Sequence, residues 1–103
     1  MLTFIETRLF TRLVNEYLSD DEYAALQWSL ASDPATGDLV KGSGGVRKMR
    51  WSAGGRGKSG GVRVIYYART HLGEIWMLTI YAKNQTQTIS LDILSRIKAE
   101  IDG

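Results

Sequence analysis

Residues 62–82 read VRVIYYARTHLGEIWMLTIYA. Val, Ile, Tyr and Trp dominate this stretch, and such side chains favour the pleated, half-buried surface of a sheet. Thr70 to Gly73 breaks it with turn chemistry, so it predicts two strands, 62–68 and 75–82. Upstream, VRKMRW at 46–51 alternates in the manner of a third strand. Short connections make these three an antiparallel meander. LTFIE at 2–6 can form a short first strand. Leu9, Phe10, Leu13, Val14, Tyr17 and Leu18 then recur at helical spacing, which predicts a helix over 7–18. Ser19 stands three before Glu22, a capping box that opens a second helix carrying Tyr23, Leu26, Gln27 and Leu30 inward. Asp33-Pro34 ends that helix and Gly37 helps to turn the chain. Ser90 can cap a last helix whose apolar face is Leu91, Leu94, Ile97 and Ile101. The order β-α-α-β-β-β-α predicts an α+β domain over residues 1–103. It has a small antiparallel sheet with a mixed edge, two N-terminal helices and a C-terminal helix, with the helices expected on one face.

Composition narrows the function. The 103 residues include no cysteine and one histidine, His71. That excludes a disulfide framework and a thiolate metal site, and argues against a zinc site built from imidazoles. No metal and no cofactor are expected. MLTFIETRLFTRL mixes charges into its apolar runs, unlike a signal peptide, and no stretch approaches membrane-span length. A cytoplasmic chain without membrane contact is expected. The net charge of +2 is unevenly spread. Residues 1–38 hold two basic and seven acidic residues, a net of −5. Residues 39–73 hold eight basic residues and no acid, a net of +8. Residues 74–103 hold three basic and four acidic residues, a net of −1. So dense a basic segment is the footprint of a polyanion partner or, more plainly, a solvated basic face.

Within it lies GGRGKSGG, residues 54–61, where Gly57-Lys58-Ser59 imitates a phosphate-binding loop. The first glycine of that motif is replaced by Ser52, and the chain runs on into a strand rather than a helix. Without a helix N-terminus to face phosphates, nucleotide binding is rejected. A mobile hairpin loop explains the glycines. Arg56 and Lys58 suit contact with an irregular phosphate backbone.

Strand alternation sorts the cations. Lys48 and Arg50 share one face of their strand, and Arg63, Ile65 and Tyr67 share one face of theirs. If Trp76, Leu78 and Ile80 face the helices, then Met77, Thr79, Tyr81 and Lys83 face away. Lys48, Arg50, Arg63, Tyr81 and Lys83 would then gather on the face free of helices. Arg63, inside an apolar strand, carries most weight, because a charge there needs water or a partner. A salt bridge is the plain alternative, but the neighbouring sequence offers no acid. Such a cluster suits phosphoryl transfer on a polyanion, where cations stabilise a pentacovalent phosphorus. RNA brings its own 2′-hydroxyl nucleophile. A Lys crowded by cations can trade protons, whereas Arg stays charged. Plain RNA or DNA binding would use the same residues. His71, in a turn outside the cluster, reads as a surface residue.

EYLSDDEYAALQWSLASDPATGDLVKGSGGVRKMR, then GRGKSGGVRVIYY and LTIYAKN, resemble the HigB-type branch of the RelE toxins of bacterial type II toxin–antitoxin systems. The resemblance covers nearly the whole chain and implies a ribosome-dependent mRNA interferase. It implies neutralisation by a HigA-like helix-turn-helix antitoxin, with operator DNA bound only through that complex. By position, Lys48 and Arg63 match the family's catalytic strand cations. Arg50 stands where some members carry a Lys base, a role that would pass here to Lys48. Lys83 falls near a second catalytic Arg of the family, and Tyr81 would replace its C-terminal Tyr. Arg47, Arg56 and Lys58 would hold rRNA and mRNA phosphates. A ParE-like gyrase inhibitor on the same fold and a non-enzymatic RNA-binding module are the alternatives.

Overall fold

The computed structural model describes residues 2–52, 61–83 and 90–103. Five strands form one sheet: β1 (Thr3–Glu6), β2 (Asp38–Leu39), β3 (Arg47–Trp51), β4 (Val62–Arg69) and β5 (Glu74–Ala82). Their spatial order is β1-β5-β4-β3-β2. β1 runs parallel to β5 and every other pairing is antiparallel. The expected α+β class and mixed edge are present, with one strand more than the sequence indicates. That strand, β2, is two residues long, too short to show alternation. Among the described residues no helix is long and apolar enough to cross a membrane.

The helices are α1 (Arg8–Tyr17), α2 (Asp20–Ser32) and α3 (Leu91–Asp102). Each starts at a side-chain cap that satisfies an otherwise orphaned N–H. The Thr7 hydroxyl accepts from Phe10 N–H at 3.1 Å and donates to the Leu78 carbonyl at 2.8 Å, tying α1 to β5. Ser19 and Glu22 form the expected capping box, at 2.8 and 3.1 Å.

The helices do not share one face. Phe10, Val14, Leu26 and Leu30 of the α1–α2 hairpin bury Val62, Val64, Tyr66, Met77 and Ile80. On the opposite face Leu94 is buried with Val46, Ile65 and Leu78, and Ile97, Ile101, Tyr67, Trp76 and Tyr81 pack around them. This corrects the expectation of a bare second face. An amphipathic stripe says that α3 buries one side, but not on which side of a sheet it lands.

A β-bulge produces the second correction. Ile65 pairs with Thr79, but Tyr66 pairs with Met77, so Leu78 is the extra residue on β5. The bulge shifts the alternation by one. Ile80 faces the α1–α2 hairpin as expected, whereas Trp76 and Leu78 face α3 and Met77 is buried under the hairpin.

Candidate functional site

Cross-strand partners point to the same side of a sheet, so register decides which cations meet. Arg50 is paired with Arg63, and Arg63 with Tyr81. The three stand abreast across β3, β4 and β5, each about 5 Å from the next at the backbone. The adjacent row on the same face is Lys48, Ile65 and Thr79. Lys48 and Arg50 are exposed; Arg63 and Tyr81 are half-buried. Lys83 follows directly on β5, exposed, and its N–H donates to the Gly61 carbonyl at 3.3 Å. Gly61 turns the chain into β4 at φ +68°. Lys48, Arg50, Arg63 and Tyr81 thus lie at one end of one face, with Lys83 just past the end of β5.

Packing against α3 occupies the other end. There Arg69 donates to the Ile101 carbonyl at 2.8 Å, and the Tyr67 hydroxyl donates to Asp102 at 3.1 Å. Lys98 reaches Asp102 at 2.6 Å. The Lys98 hydrogen bond, with the Tyr67 hydroxyl and the charge of Arg69, holds the Asp102 carboxyl below the usual range despite some opposing desolvation. The face is therefore divided. Apolar packing and a charged latch hold α3 at one end, and cations stand at the other.

Two guanidiniums placed opposite each other repel unless water or an anion lies between them. Arginine remains charged and presents a planar fork to phosphate oxygens. Beside it, Tyr81 offers a ring to stack a base and a hydroxyl that can give or take a proton. The row can therefore grip a phosphodiester and an adjoining base together.

Not every expected residue joins the row. Arg47 pairs with Tyr66 on the opposite face. Its guanidinium donates to the carbonyls of Gly37 at 2.7 Å and Ala35 at 3.2 Å, bracing the turn after α2. Arg56 and Lys58 lie outside the described residues. His71 is exposed in a 3₁₀ turn, Thr70–Leu72, at the far end of β4. That is about 20 Å along the strand from Arg63.

One neighbour of the cations is absent from the sequence reading. Asp38 on β2 pairs with Lys48, so an exposed carboxylate flanks the cation rows. It sits in the acidic first third of the chain, and only the register of β2 brings it here.

No family model matches the sequence. The structure is similar to that of the Escherichia coli toxin RelE, solved in the free state as a double arginine-to-alanine mutant. The likeness covers 94% of this chain and 96% of that one, with a TM-score of 0.57 and 12% sequence identity. Identity that low speaks to architecture alone: the chain is built on the RelE-like fold.

Proposed function

We propose that this chain is the toxin of a type II toxin–antitoxin system, of HigB type, and that it cleaves translated mRNA on the ribosome. The observation that carries the reading is the Arg50–Arg63–Tyr81 row, with Lys48 beside it, on a fold shared with the toxin RelE. In the proposed reaction an RNA 2′-oxygen attacks the adjacent phosphorus and the 5′-oxygen leaves, giving a 2′,3′-cyclic phosphate. Arg63 and Arg50 neutralise the phosphoryl oxygens as charge builds. Lys48 and Tyr81 exchange protons with the entering and leaving oxygens, and Tyr81 also stacks a base. Lys83 adds charge at the edge, and Arg56 and Lys58 hold more distant RNA phosphates. The nucleophile belongs to the RNA, so the step calls on no metal. A HigA-like helix-turn-helix antitoxin would neutralise the toxin, and operator DNA would be bound only by the pair.

Inducible expression with mapping of mRNA 5′ ends in translating cells tests this. Cuts phased to codons are expected, falling about 10²–10³-fold in Arg63→Ala, the scale for removing one transition-state charge partner. Intact mRNA with DNA breaks would favour gyrase poisoning instead. RNA protection without cleavage would leave a binding module.

A further inference from the structure

On the opposite side of the sheet, β1 and α2 form an open groove of about 780 Å³ lined by Leu2, Phe4, Ala24, Gln27, Trp28 and Ala31. Two features meet there. The first is a sheet edge. Thr3 N–H donates to Gly73 and Thr7 N–H to Met77, so this set of β1 residues faces β5. Phe4 and Glu6, of the opposite phase, turn their N–H and C=O groups away from the sheet. The second is a second apolar side on α2. Leu26 and Leu30 are buried, yet Ala24, Trp28 and Ala31 form another stripe, with Trp28 75% exposed. That stripe lines the groove together with Leu2 and Phe4, beside the open edge of β1.

Charge marks one end of the groove. The Glu6 carboxylate accepts from the hydroxyls of Tyr23 at 2.7 Å and Thr11 at 2.6 Å, both neutral donors. This contact sets the Glu6 end of β1 against the start of α2, where Asp20 and Asp21 are exposed one turn before Ala24. Antiparallel self-pairing would set these acids beside the apolar Leu2 end of a second copy, which offers them no charge complement.

We propose that this corner docks an extended segment of a partner protein, added as a strand along β1. Its alternate apolar side chains would pack under Trp28, and its basic residues would lie at the Glu6–Asp20–Asp21 end. Backbone pairing to Phe4 and Glu6 would supply affinity, and the Trp28 pocket with the acids would supply selectivity. The surface lies on the face opposite the Arg50–Arg63–Tyr81 row, and the inference stands independently of the RNA reading.

The probe is a synthetic peptide of six alternating valines and threonines with three lysines at one terminus. Versions carry the lysines at either end, and a control carries glutamates. Titration into the full chain is followed by amide and indole NMR. One lysine version is expected to shift the Trp28 indole and slow exchange at the Phe4 and Glu6 amides. Its affinity should fall several-fold between 50 and 500 mM salt. Trp28→Ala, at an exposed position that leaves folding intact, should weaken binding about tenfold, as loss of a central aromatic anchor does. Asp20→Asn with Asp21→Asn should flatten the salt dependence. Equal binding of the glutamate peptide, shifts mapping elsewhere, or unchanged affinity in Trp28→Ala would overturn the proposal. So would absence of binding at millimolar peptide, or a concentration-dependent dimer abolished by Trp28→Ala.

Discussion

Replacing Tyr66 with Phe tests how the sheet holds its long connection from α2. Tyr66 is fully buried under the α1–α2 hairpin. Its hydroxyl donates to the Pro34 carbonyl at 2.8 Å and accepts from the buried Gly37 N–H at 2.9 Å. Phe keeps the ring and leaves no cavity, so only polar terms change. Two hydrogen bonds at about 1 kcal/mol each are lost, and a stranded buried N–H adds up to ~2 kcal/mol. The expected loss is roughly 2–4 kcal/mol. At about 5 °C per kcal/mol for a chain of this size, Tm should fall by roughly 10–20 °C. Arg47 braces the same turn through Gly37 and Ala35, so Arg47→Gln combined with Tyr66→Phe should cost less than the two single changes added. Thermal and urea unfolding of the four proteins measure both quantities. Tyr66 lies on the face away from the cation row, so the proposed RNA cleavage, at a temperature where the variant is folded, should be unchanged. A loss below about 0.5 kcal/mol, the range of ordinary surface changes, would refute this account of the turn.

Three further outcomes follow from named contacts. At Gly61 φ is +68° and an added Cβ would run into the Trp51 carbonyl, so Gly61→Ala should cost at least ~2 kcal/mol, read as a Tm drop of about 10 °C or more. Burial first, then the Glu6 carboxylate, holds the Tyr23 phenol above its usual value. Unfolding therefore releases a proton at high pH, and stability, intact below pH ~10, should decline above it, less steeply in Tyr23→Phe. Asp102 is held below the usual carboxylate range, chiefly by Lys98, so its contribution to docking α3 is present above pH ~4 and is lost as pH falls. Protection of the α3 amides, normalised to their intrinsic exchange rates at each pH, should then fall in acid, and Asp102→Asn should show the lower protection already at neutral pH.

The cation row was legible because β3 and β4 alternate without interruption. Arg50 and Arg63 fall opposite each other, and counting by twos from each strand finds them on one face. Tyr81 joins them because the bulge at Leu78 lies before it, leaving the last residues of β5 in step with β4. Counting on back through that bulge misplaces Trp76, Leu78 and Met77. All three are large and apolar, so composition gives no warning. Asp38 was out of reach for another reason. A two-residue strand has no period, and its register with Lys48 is set by the turn from Asp33 to Gly37 that Tyr66 and Arg47 hold.

The bulge also bears on how so short a chain sustains a charged face. An unbroken β5 would send Trp76, Leu78 and Ile80 to one side and Ile75 and Met77 to the other. By shifting phase, the strand gives Met77 and Ile80 to the α1–α2 hairpin, and Trp76 and Leu78 to α3. One strand thereby feeds two cores. α3 is fastened at its far end by Arg69, Tyr67 and Lys98, so the opposite end of the face need not be apolar. Tyr81 packs against the cluster under α3, whereas Lys48, Arg50 and Lys83 are exposed. Substitutions at Lys48, Arg50 and Lys83 should therefore alter the proposed RNA binding while leaving the unfolding transition in place. Tyr81, which borders the α3 cluster, is the position where loss of activity and loss of stability should come together.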